Sequence, residues 1–424
     1  MLAGAVTFLL IALAAVALTV IVLNLSSGEK KITRRIEHAY DVRHEQFHRV
    51  MGHLLGPPIA DGNRVTDLQN GDEIFPAMLA AIRSARRTIT FESYIYWSGQ
   101  VGQEFAEALS ERARAGVACH LLLDWMGSNK MDKEQLRRME AAGVQIQRYH
   151  PPRWYTLSKM NNRTHRKVLV VDGTVGFTGG VGIADQWLGN AQSAGHWRDS
   201  HYRLEGPAVA HMQAAFMDNW LKTHSEVLHQ EEYFPSLAPM GEMQAQVFKS
   251  SAGEGSESAR LMYLLSIAAA ARSIRIANAY FVPDDLSVAT LCEASRRGVR
   301  IEIIVPGSVT DEQVVRHASR ARWGPLLEAG VAIYLFEPTM FHCKLMIVDD
   351  FWVSVGSTNF DSRSFRLNDE ANLNVVDEAF AARQLEVFEQ DKIRSRRVTL
   401  AEWQSRPVSE RVRDLAASLL RSQL

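Results

Sequence analysis

His165-Arg166-Lys167-Val168-Leu169-Val170-Val171-Asp172, with Gly179-Gly180 beyond it, decides the reading of this chain because it is written twice. The second copy is His342-Cys343-Lys344-Leu345-Met346-Ile347-Val348-Asp349, followed by Gly356-Ser357 and Asn359. Both copies have the form His-x-Lys-x4-Asp with a glycine at the same offset. One such match arises by accident in ~5% of chains of this length; two, each at the same place in a repeat, are far rarer. Each runs through an apolar, β-branched stretch, which predicts a strand. Residues two apart on a strand share a face, so His165 projects with Lys167 and His342 with Lys344. Asp172-Gly173 and Asp349-Asp350 then read as hairpin turns. Each aspartate either meets substrate or only forms the turn.

The repeat extends outward from these motifs. Ala85-Arg86 through Phe91-Glu92-Ser93 to Tyr94 answers to Ala271-Arg272 through Ala277-Asn278-Ala279 to Tyr280. Arg114-Ala115-Gly116-Val117 before His120–Asp124 answers to Arg296-Arg297-Gly298-Val299 before Ile301–Val305. Ala142-Gly143-Val144 answers to Ala329-Gly330-Val331. Strands alternate with helices and glycine stands at the helix-to-strand turns, so each half is α/β. The halves are expected at 61–235 and 236–424.

Composition narrows the function. The 424 residues carry 47 Lys+Arg against 48 Asp+Glu, without the basic excess of a nucleic-acid binder. With 46% hydrophobic and 22% charged residues the chain is globular. Cys119, Cys292 and Cys343 are too few for a disulfide scaffold and do not resemble a zinc site.

Leu2 to Leu23 is almost wholly apolar, and no charge occurs before Glu29. That length suits a single transmembrane helix, an anchor expected over 1–26. A basic n-region and an Ala-x-Ala site, the marks of a cleaved signal, are missing. Lys30, Lys31, Arg34 and Arg35 follow, which places the body on the cytoplasmic side. Within the juxtamembrane segment 27–60, residues 34–55 predict an amphipathic helix that lies on the bilayer or packs on the body.

Two imidazoles and two ammoniums converging on one site suit a phosphodiester. One histidine attacks phosphorus and the other protonates the leaving alkoxide. The lysines neutralise the non-bridging oxygens, and this chemistry requires no metal or other cofactor. With these residues the chain resembles the phospholipase D superfamily, and more narrowly its bacterial cardiolipin synthases. The resemblance covers about 70–406 and includes Glu92-Ser93-Tyr94, Asn162-Arg163-Thr164, Trp197-Arg198-Asp199 and Tyr280-Phe281-Val282-Pro283-Asp284. It continues through Asn359-Phe360-Asp361-Ser362-Arg363-Ser364-Phe365 to Asn368 and Glu370.

The resemblance implies two fused phospholipase D-type lobes, each a mixed β-sheet flanked by helices, related by a pseudo-twofold axis and preceded by the anchor. It implies His165, Lys167, Asp172, His342, Lys344 and Asp349 as catalytic residues, with His165 the nucleophile and His342 the acid/base. Gly179, Gly180, Ser357 and Asn359 support them. Asp199 and Glu370, each downstream of its own histidine, are candidates to orient imidazoles. The implied substrates are phosphatidylglycerol and a second phospholipid such as phosphatidylethanolamine, at a membrane and without nucleic acid. Hydrolysis by water, another headgroup transfer and a nuclease are the alternatives. One position departs from the family pattern: Gly182 stands where the first half should carry the twin of Asn359.

Further expectations concern the periphery. His38, His44, His48 and His53 read as a polar helix face rather than a metal site. Asp284-Asp285 and Asp349-Asp350 read as caps or turns. Arg316, Arg320 and Arg322 either meet anionic headgroups or form a solvated face. Trp154, Tyr155, Met340 and Phe341 line an acyl entrance or the core. After a capping box at Thr399–Glu402, the stripe Val408, Val412, Leu415 and Leu419 is expected to pack on the body, with the membrane surface as the alternative.

Overall fold

The computed structural model describes residues 2–25, 32–152, 161–252 and 257–424. In the first half the strands are β1 (Ala60–Gln69), β2 (Thr88–Ser93), β3 (Ala118–Asp124), β4 (Gln145–Tyr149), β5 (Val168–Val171), β6 (Val175–Gly179) and β7 (Ser200–Glu205). They lie in the order β1-β7-β6-β5-β2-β3-β4. The second half has β8 (Met243–Ser250), β9 (Ser273–Asn278), β10 (Arg300–Pro306), β11 (Ala332–Phe336), β12 (Lys344–Val348), β13 (Trp352–Gly356) and β14 (Glu370–Val376). Their order, β8-β14-β13-β12-β9-β10-β11, is the first order with seven added to every label, and β15 (Ser395–Val398) closes the edge. The duplication is thus a repeated topology. Each half is a mixed sheet: β2-β3-β4 and β9-β10-β11 are parallel, and the rest pair antiparallel.

The two sheets are also one. Strand β1 pairs antiparallel with β8 across a register irregularity between Ala60 and Asn63. The core follows the same continuity. Val168, Val170, Leu204, Phe216 and Trp220 of the first half share a buried cluster with Leu345, Ile347, Val353, Leu373 and Phe388 of the second. Burying large side chains on both sides of the boundary, at ~25 cal/mol per Å2, holds the halves in fixed relation.

The helices are α1 (Leu2–Leu25), α2 (Glu45–Leu55), α3 (Asn70–Ser84), α4 (Gln100–Arg114), α5 (Lys133–Ala141), α6 (Val209–His224) and α7 (Ser258–Ala269). They continue with α8 (Asp285–Arg296), α9 (Gln313–Arg320), α10 (Trp323–Glu328), α11 (Ser362–Arg366), α12 (Glu378–Ile393), α13 (Leu400–Gln404) and α14 (Val408–Ser418). Helix α1 is 24 residues long and uncharged. Its side chains are described over 4–19, all exposed save the half-buried Ala12. That stretch is shorter than the ~20 residues a span requires. Among the described residues, accordingly, no helix is long and apolar enough to cross a membrane.

The helix expected over 34–55 is shorter. Only Glu45–Leu55 is helical. Asp41 Oδ1 accepts from Arg43 N at 2.8 Å, and His44 Nδ1 accepts from Gln46 N at 3.0 Å. Such local side-chain bonds compete with the helix and start it late. The helix packs on the second half: Phe47 and Met51 are fully buried, and Phe47 meets Trp352 edge-on at 4.9 Å.

Candidate active site

Each histidine sits just ahead of a central strand, β5 or β12, and is tied across to the opposite half. His165 N donates to Asp369 O at 2.8 Å, and Asp369 N donates to Arg163 O at 2.8 Å. The twin arrangement has His342 N donating to Arg198 O at 2.8 Å and Arg198 N to Met340 O at 2.9 Å. This backbone exchange brings the residue after Asp369 to the first histidine and the residue after Arg198 to the second. His165 Nδ1 therefore lies 3.0 Å from both Glu370 oxygens, and His342 Nδ1 lies 2.7 Å from Asp199 Oδ2. Each carboxylate thus serves the histidine of the opposite half, not the one it follows in sequence. With Nδ1–H donated to a carboxylate, each ring is left with Nε2 as its reacting nitrogen, and Lys344 Nζ stands 3.1 Å from that of His342.

Both carboxylates are buried and satisfied. Glu370 accepts from Ser357 Oγ at 2.5 Å and Ser364 Oγ at 2.7 Å. Asp199 accepts from Trp187 Nε1 and Ser200 N, each at 2.9 Å. Burial alone would raise both acids, but the adjacent imidazole and lysine charges outweigh it and hold them below the usual carboxylate range. Burial pushes His165 down to about 4, with the Lys167 charge adding to it against the pull of Glu370. His342 is lowered by burial and by Lys344. Both shifts favour the neutral ring, the form in which His165 can attack. Lys167 Nζ donates to His165 O at 2.9 Å and Lys344 Nζ to His342 O at 2.6 Å. Burial and the charge of Lys344 bring Lys167 down to about 7, and burial lowers Lys344. Two lysines brought together in a dry site favour an anion between them.

His165, Lys167, His342 and Asn359 line one cavity of about 680 Å3, the size of a ligand pocket. Asn359 is 3% exposed and its Oδ1 has no hydrogen-bond partner among the described residues. The walls are aromatic and unequal. Tyr94 stands edge-on to His165 at 5.3 Å, whereas Trp187 and Trp197 both stand 5.5 Å from His342. Behind His165, the buried Glu92 braces Thr164 through Oε1, which also accepts from Asn219 Nδ2 at 2.7 Å.

Asp172 and Asp349 do not line this cavity, which corrects their assignment as catalytic. Asp172 accepts from the backbone N–H groups of Arg86, Arg87 and Thr88, and Asp349 from those of Ala271, Arg272 and Ser273. Both adopt positive φ, +51° and +54°, at the turn. They are braces that hold the Ala-Arg landmark against the motif strand.

The supporting residues explain the asymmetry of the halves. A Cβ on Gly180 would lie 2.1 Å from Asp199 Oδ1, so glycine there lets Asp199 reach His342. Its counterpart Ser357 instead supplies the hydroxyl to Glu370. Gly179 ends β6 against His201, where a Cβ would meet the Cα at 2.6 Å. At Gly182 a Cβ would lie 2.8 Å from Ile95 Cβ and 3.2 Å from the Trp187 ring. The missing twin of Asn359 is thus a consequence of packing around Trp187, the indole that bonds Asp199. Trp187 was not foreseen, because it stands in a short 3-10 turn (Asp185–Trp187) with no counterpart motif in the second half.

The peripheral expectations resolve in part. Met340 and Phe341 are buried in the core, while Trp154 and Tyr155 lie outside the described residues. Arg320 is ion-paired with Asp414 and Glu410, and Arg322 with Asp285, so neither stands free for a headgroup. Asp284 caps α8, accepting from Ser287 N at 2.7 Å. The α14 stripe does not pack on the body: Val408, Val412, Leu415 and Leu419 are all exposed. The inward face is taken instead by Asp414, which α9 binds.

Two lobes of one topology sharing a paired-histidine cavity define the phospholipase D-like class. The family described as cardiolipin synthase, PLD-like domain, matches residues 78–220 and 263–392. A cardiolipin synthase 2 of Bacillus anthracis is 33% identical over 395 residues, which cover 92% of this chain and 76% of that protein. The major cardiolipin synthase ClsA of Bacillus subtilis is 32% identical, with 85% and 75% covered. In fold the chain is similar to a phosphatidylserine synthase of Haemophilus influenzae, with a TM-score of 0.69 at 14% identity over 89% of this chain and all of that one. The chain belongs to the cardiolipin synthase family of phospholipase D-like enzymes.

Proposed function

We propose that the chain is a phosphatidyltransferase that joins two phosphatidylglycerol molecules, or phosphatidylglycerol and a second phospholipid, into cardiolipin. The observation that carries this reading is the exchanged pairing: two imidazoles, each fixed by a buried carboxylate from the other half, facing one cavity, with Lys167 on its wall and Lys344 Nζ 3.1 Å from the His342 ring. His165 Nε2 attacks the donor phosphorus as the bond to the headgroup oxygen breaks; His342, which takes up a proton at Nε2 when the anionic diester binds and is held through Nδ1–H by Asp199, gives that proton to the leaving alkoxide. The resulting phosphatidyl-histidine is resolved by the hydroxyl of a second lipid. His342 removes that hydroxyl's proton as the P–N bond breaks and His165 leaves. Lys167, Lys344 and Asn359 bind the non-bridging oxygens throughout. An anionic phosphodiester in the cavity would raise both lysine pKa values and keep them charged.

The uncharged run from Leu2 to Leu23, continuous with α1, supports a single-pass anchor in the inner membrane, with Arg34 and Arg35 on the cytoplasmic side of it. The test is to incubate the purified chain with phosphatidylglycerol vesicles, with and without phosphatidylethanolamine, and to identify products by mass spectrometry. Cardiolipin is expected, and its dependence on the second lipid names the donor. Phosphatidic acid alone would overturn transfer in favour of hydrolysis.

A further inference from the structure

Helix α14 is amphipathic in the reverse sense for a helix packed on a protein. Its inward residues are Asp414, 2% exposed, and the small Ala417. Asp414 accepts from Arg320 Nε at 2.9 Å, His317 Nδ1 at 2.8 Å and Arg406. Ala417 packs against Val315 and Ala318 of α9. The outward residues are Val412, Leu415 and Leu419, which are 59%, 65% and 78% exposed, and Val408 and Leu420 beside them. Positions 408, 412, 415 and 419 follow helical spacing, so they form one continuous stripe. In water such a face is unfavourable, at ~25 cal/mol per Å2 of apolar surface. The described side chains of α1 do not cover it, being exposed save the half-buried Ala12.

Two observations say what does. The stripe is continuous with the active-site mouth: Gln423 and Leu424, just beyond α14, line the cavity, as do Glu312 and Val315 where α9 begins. Arg363 Nη1 holds Gln423 O at 3.1 Å, and Arg363 N donates to Leu424 O at 2.9 Å, so the segment is fixed to the cavity wall. The charges on α14 are also sorted. Asp414 and Glu410 turn inward into ion pairs with Arg320, whereas Arg411 and Arg413 are exposed on the flanks of the stripe. Apolar side chains bordered by arginines are the surface an anionic bilayer accepts.

We infer that α14 is a membrane-docking helix. Its stripe Val408-Val412-Leu415-Leu419 sinks into the headgroup region of an anionic leaflet, holding the cavity mouth against the lipid surface from which substrate enters. This inference rests on the lipid-transferase reading for its purpose, but its first test is independent of catalysis. All three native cysteines are buried, so a Leu415→Cys variant of the full chain can carry one environment-sensitive fluorophore, with Glu107→Cys on the exposed face of α4 as reference. In vesicles of phosphatidylglycerol and phosphatidylcholine, brominated acyl chains should quench the label at 415 about threefold or more beyond that at 107. Equal quenching at both positions would overturn the inference. So would a concentration-dependent emission shift at 415 without bromine quenching, which would assign the stripe to a second copy of the chain. The second test uses Val412→Ser/Leu415→Ser/Leu419→Ser, all at exposed positions. Turnover of vesicle phosphatidylglycerol should fall about tenfold, while turnover of monomeric dihexanoyl phosphatidylglycerol stays within about twofold. An equal fall on both substrates would overturn docking. Quenching at 415 in a protein inactive on either lipid would refute the transferase reading and leave docking standing.

Discussion

At the scale of single residues, the decisive fact is that each imidazole depends on a carboxylate from the opposite half. His165 with Glu370 and His342 with Asp199 should behave as units, because a carboxylate that fixes the tautomer of a base is worth nearly as much as the base. Glu370→Gln and Asp199→Asn should each lower kcat by about 10²- to 10⁴-fold with the fold intact. Combining Glu370→Gln with His165→Ala should add almost nothing to His165→Ala alone, whereas combining it with Asp199→Asn should cost more than either. Single-turnover kinetics on the five variants checks this, and additivity within the His165–Glu370 pair would refute the unit. The histidines and lysines were legible in the sequence because the doubled motif sets them two apart beside an apolar strand, although the structure places His165, Lys167 and His342 just ahead of β5 and β12 rather than on them. The identities of Glu370 and Asp199 were legible too, from the resemblance, but their partners were not. Nothing local shows that Asp369 and Arg198 exchange backbone bonds with the other half.

At the scale of elements, the motif aspartates belong to the scaffold. Asp349 is 3% exposed and gathers three backbone N–H groups at the start of β9. Removing it leaves those donors without an acceptor, at a cost of about 2–4 kcal/mol. Asp349→Ala should lower the free energy of unfolding by that amount, while the protein that remains folded keeps kcat within a few-fold. Equilibrium unfolding, together with a burst assay for the phosphatidyl-enzyme, separates the two. Loss of the burst in fully folded protein would return Asp349 to the reacting centre. The sequence permitted both readings, since a turn aspartate looks the same whether its carboxylate faces substrate or backbone. The same limit applied to α2, whose apolar spacing from Ile36 suggested a longer helix. Asp41 and His44 bind the local backbone there and delay the helix to Glu45.

At the scale of the whole molecule, the repeated α/β halves were legible because four landmarks recur in one order. The joining of both sheets through β1 and β8 was not legible, because its register is irregular and β1 alternates poorly. The described side chains of α1 are exposed save the half-buried Ala12, and none of the buried clusters contains one of them. Deleting residues 1–26 should therefore leave the melting temperature within about 2 °C, since none of those described side chains belongs to the core. Differential scanning calorimetry checks this, and a drop beyond ~5 °C would make α1 part of the core. The exchanged carboxylates also bear on how the protein is made. A ribosome that has translated as far as His165 has made that imidazole some two hundred codons ahead of the carboxylate that orients it. On the proposed mechanism a growing or prematurely released chain is therefore inert, and transfer is expected to begin only when translation has passed Glu370 and the two halves have closed on each other.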